Sequence, residues 1–544
     1  PGIPAEAAAP AGVFDRLIDY GTYWMYMIKD SRILLLYDKI PGAVARLSRI
    51  ADLDNNTVTL AFNADGSIRS VTDACGRSTL FSYNTSRQCI SVTLPDGRTA
   101  SFSYDTRQNL SGVTDFGGIA TAYEYDKDHA LTWIRKGQGP SVTTFVYGSD
   151  HLGKHIRTIT GPDGNTTAYD VVSADPRQTR ITDPEGGTLR YFSDQGKTTR
   201  VIDQLGNTAE FGIGGGKRTS YRDKNGNVTH LEYDGRGNMI RTSTPDGATR
   251  RYQYDAHDNL VAETDALGRQ TTYQYDSRQH LIKTVTPVGR PFLFEYDTAG
   301  QLVRMIDPSG KAVTLHNDRF GNVDGISDGS GYATKLSYDT WGLRMTAETD
   351  ARGNTRQYEY DGNDRIVGIL NPDGSVTRFG FDPEGRLQTI DRNGTITSYV
   401  RNPRGRVLKR TDPLADTVRF DYDRNNRLVN RADALNRHTR FAYDPASRLT
   451  KLTNRLGGTV DFVYDNEGNL LRITDENGNA TRYGYGKNHL IETITDALDR
   501  SVHVRQDLLG RVVSFTNARG STVSLSYTQN DEISEKAYDG RIMA

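Results

Sequence analysis

Apolar and polar positions alternate along most of this chain in one short phrase, written again and again. FVYDNEGNLLRITDENG (462–478) follows FDYDRNNRLVNRADALN (420–436) and FAYDPASRLTKLTNRLG (441–457). With the aromatic of each Tyr-Asp pair, or its stand-in, as an anchor, there are 23 anchors from Phe62 to Tyr527. Fifteen of the 22 intervals are 21 residues long and the rest 20 or 22, and the phase runs through the degenerate anchors Asn317, Arg401 and Gln506. Two residues before the anchor stands another large apolar side chain, as in Phe81, Tyr252, Phe294, Phe441 and Phe462, with a polar or variable residue between. Period-two alternation rich in aromatics predicts a strand with one apolar face.

Asp follows the anchor, and Gly, Asn or Asp stands three residues later, as in Asp297…Gly300 and Asp423…Asn426. This spacing predicts a type I turn ending in a residue of positive φ. Six residues after the anchor an aliphatic returns, for example Leu260, Leu281, Leu428, Leu449 and Leu470, to lie opposite or diagonal to the anchor ring. A second turn closes the unit, as in Asp307-Pro308-Ser309-Gly310 and Asn371-Pro372-Asp373-Gly374. Each repeat is therefore two antiparallel strands and two tight turns. About 46 such strands at ~4.8 Å spacing make a ribbon on the order of 220 Å long. Open twisted sheets rarely exceed ~10 strands without curling, so this one has to wind. The LxxLxL spacing of a leucine-rich solenoid is absent, and 23 repeats exceed the usual 4–8 blades of a propeller.

The fold class expected is all-β: a long antiparallel hairpin ribbon over residues 51–530, with a short irregular or partly helical N-terminal cap at 1–50 and a C-terminal end at 531–544. Ala-rich AEAAAPAGVFDRLIDY (5–20) is the stretch in which a helix would start after Pro4; TYWMYMI and RILLLY are dense apolar pieces. A cap covering the first sheet edge is what repeat arrays need. Residues 22–37 are interrupted by Lys29, Asp30 and Arg32, so no run approaches the ~20 apolar residues of a membrane span. The start at Pro1 without Met reads as a processed or excised piece.

Lys plus Arg (67) nearly balance Asp plus Glu (68), which argues against a nucleic-acid footprint. Two cysteines, Cys75 and Cys89, exclude a disulfide framework; Cys89 takes a repeat position held elsewhere by Leu or Ile and reads as a small buried apolar side chain.

Strings that resemble chemistry fall in phase with the repeat. GIGGGK (212–217) is one residue short of a phosphate loop, carries Arg218 where Ser or Thr is needed, and lies at an anchor and its turn. His151 and His155 have the spacing of helical metal ligands, but Gly153 stands between them. Asp223–Asn227 and Asp475–Asn479 could hold Ca²⁺ loosely, yet they coincide with repeat turns. No catalytic, cofactor-binding or metal-ligating residue is assigned, no cofactor is expected, and the chain is not expected to be an enzyme.

TTYQYDSRQHLIKTVTP (271–287) and TRFGFDPEGRLQTIDRNG (377–394) resemble the YD-repeat or Rhs family, which includes bacterial Rhs polymorphic toxins, toxin-complex BC components and teneurins. The resemblance covers about residues 57–530, and for residues 1–50 it implies the alternative to a cap, a plug closing one mouth of the shell. It implies a ribbon spiralling into a hollow shell that encloses a C-terminal toxin as cargo, delivered by a bacterial secretion machine, often type VI, in interbacterial competition. The implied partners are that cargo and, through a region preceding this segment, a secretion spike and a chaperone or adaptor; no nucleic acid or membrane is implied for the segment itself, and self-association stays open. The protein would be cytoplasmic before secretion. Family shells that release cargo by aspartyl self-cleavage end in a DPxGxxGG-type stretch. The nearest string here, Asp183-Pro184-Glu185-Gly186-Gly187, sits mid-chain in phase with ordinary turns, so no catalytic aspartate is carried over. An extracellular adhesion or carbohydrate-binding protein, and a self-cleaving core whose site lies outside this segment, are the alternative functions.

Overall fold

The structure is a computed structural model. It describes all residues except 1–4, 8–15, 29–30, 42–43, 140–141, 151–152, 175–176, 332 and 543–544. Among the described residues it contains 52 strands in one sheet, each antiparallel to the strand before it and the strand after it. Most anchor hairpins have one construction. In the pairing of Thr249–Tyr254 with Leu260–Thr264, Gln253 faces Ala262 and the register then slips by one residue, so that Tyr254 faces Leu260. The same slip recurs at Tyr104, Tyr275, Tyr422, Tyr464 and Tyr485. This bulge sharpens the local twist at these anchors; in the hairpins of Tyr169, Tyr191 and Phe211 the slip falls after the anchor.

Most turns are closed by a leading Asp or Asn; where Leu94, Gly161 or Thr244 leads, the third residue (Asp96, Asp163 or Asp246) accepts the N–H two positions on instead. In the Tyr254 hairpin the Asp255 N–H donates to the Asn259 carbonyl (3.0 Å). Asp255 Oδ1 accepts from the N–H groups of His257 and Asn259, and Oδ2 accepts from Asn259 Nδ2 (2.7 Å). The fourth turn residue is left-handed, and where it is not Gly it is often Asn or Asp, as at Asp258 (φ 64°) and Asn426 (φ 64°). The predicted Asx-turn chemistry therefore holds at both ends of the hairpins. We call the side of the ribbon bearing the Tyr-Asp turns the YD edge and the other side the return edge.

The anchor tyrosines also bind between repeats. Tyr254 Oη donates to the Met239 carbonyl (3.0 Å), fifteen residues back, which is the aliphatic position of the preceding repeat. Tyr275, Tyr422, Tyr443, Tyr464 and Tyr485 do the same to Leu260, Val407, Leu428, Leu449 and Leu470. The degenerate anchors keep the bond: Asn317 donates to Leu302, Arg401 to Leu387 and Gln506 to Ile491. At these positions the anchor is a donor to the preceding repeat; the anchors Phe62, Phe211 and Phe381 supply the ring alone.

The segment read as a cap contributes strands to the same sheet. Arg16–Asp19, Tyr23–Met27, Leu34–Asp38 and Arg46–Ala51 pair in succession and lead into Thr57–Phe62. The partly helical character expected there is not found in its described residues; much of the stretch after Pro4 lies outside them. Tyr37-Asp38 is an anchor pair that the sequence reading passed over. The register slips between Leu36 and Tyr37, and Tyr37 faces Leu47 across a longer loop that hides the six-residue spacing. No helix is found among the described residues, so none there is long and apolar enough to cross a membrane.

Hydrogen bonds between turns 226 to 266 residues apart show that the ribbon winds. From the turn at 223–227 to the one at 465–469 there are 23 strands, Val228–Tyr233 through Thr459–Tyr464. A wrap of 23 to 25 strands at ~4.8 Å is roughly 110–120 Å around, hence at least ~35 Å across and wider where strands tilt. The molecule makes slightly more than two wraps.

A single wound layer has little interior. The buried apolar residues among those described are small, chiefly Ala100, Ala209, Ala248, Ala262, Ala432 and Ala537 with Val418, and the only side chain below 2% exposure is Asn259. The accessible surface is 31,094 Å² for 60.4 kDa, whereas a compact protein of that mass exposes roughly 19,500 Å². The excess is the second face of the wall.

Candidate functional site

The wall works as a container only if its wraps are sealed to one another. The seam has one rule: return-edge turns of the first wrap meet YD-edge turns of the second. Asn56 Nδ2 donates to the Ala299 carbonyl (2.9 Å), and Arg77 donates to that of Trp341 (3.0 Å) while its guanidinium lies 5.0 Å from the Phe320 ring. Arg98 donates to the Gly362 carbonyl (2.6 Å) and pairs with Asp364 (3.0 Å), which also holds Arg344. Arg404 pairs with Asp163 (2.7 Å), the Arg424 N–H donates to Glu185 (2.9 Å), and Asn225 donates to Asp465 (2.9 Å). Arg269 reaches the Gln529 carbonyl (3.0 Å) and Asp531 (2.7 Å).

These groups are partly dehydrated, and their titration reflects it. Burial alone would raise the Asp364 carboxyl, but hydrogen bonds from Arg344 and Arg98 outweigh burial and hold it below its ordinary value. Asp163 is lowered in the same manner, against burial, by Asn165 and Arg404. His280 bridges Asp54 of the other wrap (2.8 Å) and Asp276 of its own turn (2.9 Å), stacked on Tyr296. Burial would lower the imidazole, yet the two carboxylates prevail and raise it. His489 makes a second such bridge to Asp223 (2.9 Å).

The strings singled out for chemistry lie in the wall. Asp183–Gly187 is a return-edge turn in which Asp183 Oδ1 accepts the N–H groups of Glu185 and Gly187. GIGGGK spans a hairpin between Thr208–Gly214 and Lys217–Arg222, with strand rather than helix after the glycines. His155 lies in the strand Gly153–Thr160, and His151 is outside the described residues. Asp223 and Asp475 close their turns by the ordinary Asx bonds, and Asp223 adds the seam bond to His489. Cys89 is half-buried rather than buried, opposite Tyr83; Cys75 is exposed in a seam turn, its thiol directed at the Phe320 carbonyl (3.6 Å). Among the described residues no group of three or more His, Cys, Asp or Glu is placed to hold a metal.

The seam itself was not read from the sequence. The weak signal present was the Arg, Asn or His that ends many turns, a side chain longer than turn closure needs.

Comparison with known proteins places this architecture. The RHS Repeat family model matches residues 88–120, 215–249, 254–291 and, in overlapping copies, 338–417; the Teneurin YD-shell model matches 414–541. A curated relative, "Probable deoxyribonuclease RhsB" of Dickeya dadantii (strain 3937), is 29% identical over 107 residues, covering 15% of this chain and 8% of the relative. Similar solved structures include TcdB2-TccC3-TEV (TM-score 0.66, 13% identity, 98% of this chain and 40% of that one) and TcdB2-TccC3-Cdc42 (0.61, 13%, 95% and 34%). At that identity the likeness is one of fold, and the chain spans well under half the length of each of these proteins.

Proposed function

The chain belongs to the YD-repeat (Rhs) family, and from that premise we propose that this Rhs-type shell encloses and delivers a toxin carried C-terminal to it. The observation that carries the proposal is the sealed winding: one ribbon edge is bonded to the other a full wrap later, and the wall exposes both of its faces. A wound layer is a costly way to build a binding surface, since it forgoes a core; it is an economical way to enclose volume. Side-chain layers ~5 Å deep leave a lumen of roughly 25–40 Å, about the width of one ~100-residue domain. Cargo of larger size would have to be held incompletely folded.

On this reading the segment acts by containment and is not itself an enzyme; many of its aspartates close turns, and His280 and His489 are engaged in the seam. Delivery by a type VI machine in competition between bacteria, with a spike and an adaptor recruited elsewhere in the parent protein, belongs to the same proposal, as does a cytoplasmic stage before secretion. The test is a protease time course on the parent protein with its C-terminal segment. The tail should survive in the intact protein and be digested in a variant whose wall is broken by Pro at Tyr464 and Tyr485. Equal digestion of both tails would remove containment and favour the adhesion reading.

A further inference from the structure

The two faces of the ribbon differ in chemistry, and the winding decides which of them is outside. In the strand Thr249–Tyr254 the side chains of Tyr252 and Tyr254 lie on one face and those of Arg251 and Gln253 on the other. Asp255 shares the parity of Gln253, and its N–H donates forward, to the Asn259 carbonyl that leads into the following strand. In an L-chain running up the page, a side chain aimed at the viewer has its own N–H and C=O to the right. With the Gln253 face toward the viewer and the YD edge uppermost, the chain therefore advances from left to right. The second wrap lies below the first, because return-edge turns of the first bond to YD-edge turns of the second. Negative rotation between neighbouring strands makes the strands of a closed wall lean right as they rise, seen from outside, so a ribbon crossing them descends as it moves right. The Gln253 face is thus the outer face and the anchor face lines the lumen. A ribbon continuing past either end adds wraps above or below and leaves the outer face as it is.

Charge is unevenly spread over that outer face, although it balances over the whole chain. From Thr59 to Ala122 its paired positions hold Ser, Thr, Ala, Gly and Leu80, without a charge. In the second wrap, strands Val407–Thr411 through Ala480–Tyr485 place on it Lys409, Arg419, Arg440, Lys451, Arg472 and Arg482, against Asp421 and Asp461. Lys451 pairs with Asp461 (3.3 Å), Arg482 with the exposed turn residue Asp499 (3.0 Å), and Asp421 accepts from Asn430 (2.7 Å). Among the described residues Lys409, Arg419, Arg440 and Arg472 have no carboxylate partner. Two cross-strand pairs set cation against cation, Lys409 against Arg419 and Arg472 against Arg482. Like charges directly opposite are destabilising in a sheet, so the wall gives up stability here. Apolar side chains are interleaved: Ile396, Val400 opposite Lys409, and Val463 opposite Arg472 are 50%, 54% and 39% exposed.

We propose that this stretch of the outer face docks the shell on an anionic lipid surface, a partner that the sequence reading did not expect. The proposal rests on the winding and not on what the shell contains. Cations without carboxylate partners are complemented by phosphate. The isoleucine and valines beside them select a bilayer, where apolar side chains sink between the headgroups. A nucleic-acid backbone offers those side chains nothing, because its outer contacts are phosphate and sugar. The cations lie on eight successive strands, a span of roughly 35 Å, and long Lys and Arg stems reach past the convexity of the wall. The uncharged stretch from Thr59 to Ala122 falls on another side of the shell, so docking would give the shell a fixed orientation on the membrane.

Flotation of the 544-residue chain with vesicles tests this. At ~50 mM NaCl, vesicles of equal phosphatidylglycerol and phosphatidylcholine should bind it at least ~10-fold more tightly than phosphatidylcholine alone, and ~0.5 M NaCl should weaken that binding. Each Lys or Arg near an anionic surface is worth about fivefold in affinity. The variant R419Q/R440Q/R472Q/R482Q should therefore bind at least ~100-fold more weakly, with unchanged circular dichroism. K283Q/R304Q/K335Q, which removes cations from the same face outside the stretch, should bind as the unaltered chain does. V400S/V463S should weaken binding several-fold and keep its salt dependence. Four results would overturn the proposal: no binding to the anionic vesicles, binding unchanged in the quadruple variant, an equal loss in the triple variant, or capture of double-stranded DNA in place of vesicles, which would assign the face to nucleic acid.

Discussion

At the scale of the residue, the anchor position is a donor as much as a ring. Tyr443 faces Leu449 in its own hairpin, donates to Leu428 of the previous repeat (2.9 Å), and carries the Arg427 guanidinium 5.0 Å over its ring. Tyr443→Phe keeps the ring contacts and removes one bond, so it should cost ~0.5–1.5 kcal/mol, read as faster amide exchange confined to the flanking hairpins. Unchanged protection would mean that the inter-repeat bond is idle. Ala415 is a second test, because it holds φ 68° without a side-chain bond to support it. Left-handed backbone costs an L-residue ~1–2 kcal/mol, and glycine returns part of that as unfolded-state entropy, so Ala415→Gly should stabilise its turn by ~0.5–1 kcal/mol. A lowered midpoint in thermal or denaturant unfolding would contradict that. The strand, turn and aromatic–aliphatic logic was legible in the sequence because each repeat restates it. The Tyr hydroxyl bond was not, since its acceptor is a backbone carbonyl that any residue supplies.

At the scale of the element, hairpins contact their neighbours in sequence and, through the seam, turns a full wrap away. The seam is the part the sequence could not disclose: which turns meet depends on how many strands complete a wrap, a sum of small twists that no single repeat encodes. The N-terminal strands were missed for a related reason, the long loop after Tyr37-Asp38 having broken the phase. Seam electrostatics give opposite pH limbs. The lowered carboxylates Asp163, Asp364 and Asp531 contribute stability above the ordinary carboxylate pKa of ~3.9, and lose it as pH falls through their depressed values. His280, raised, contributes fully below ~6.5 and loses its contribution as pH rises through its folded pKa. Protection factors at turns 52–56 and 276–280 should therefore fall from pH 6 to pH 9, and His280→Gln should flatten that alkaline limb while leaving the acid limb at 161–165 and 361–365 intact. An alkaline limb that survives the substitution would assign it to another group.

At the scale of the whole molecule, the account rests on winding. A ribbon with these hairpins but no seam would satisfy every local observation and enclose nothing. Asn225 and Asn466 separate the two cases, since both are exposed turn residues, and Asn466 donates to the Lys224 carbonyl across the seam (3.4 Å) although 23 strands intervene. Spin labels on cysteines at these two positions, with Cys75 and Cys89 replaced, can be measured by double electron–electron resonance. The wound shell predicts a narrow distribution below ~25 Å, whereas an unwound ribbon places the labels ~110 Å apart, and a trace without dipolar modulation would contradict the shell.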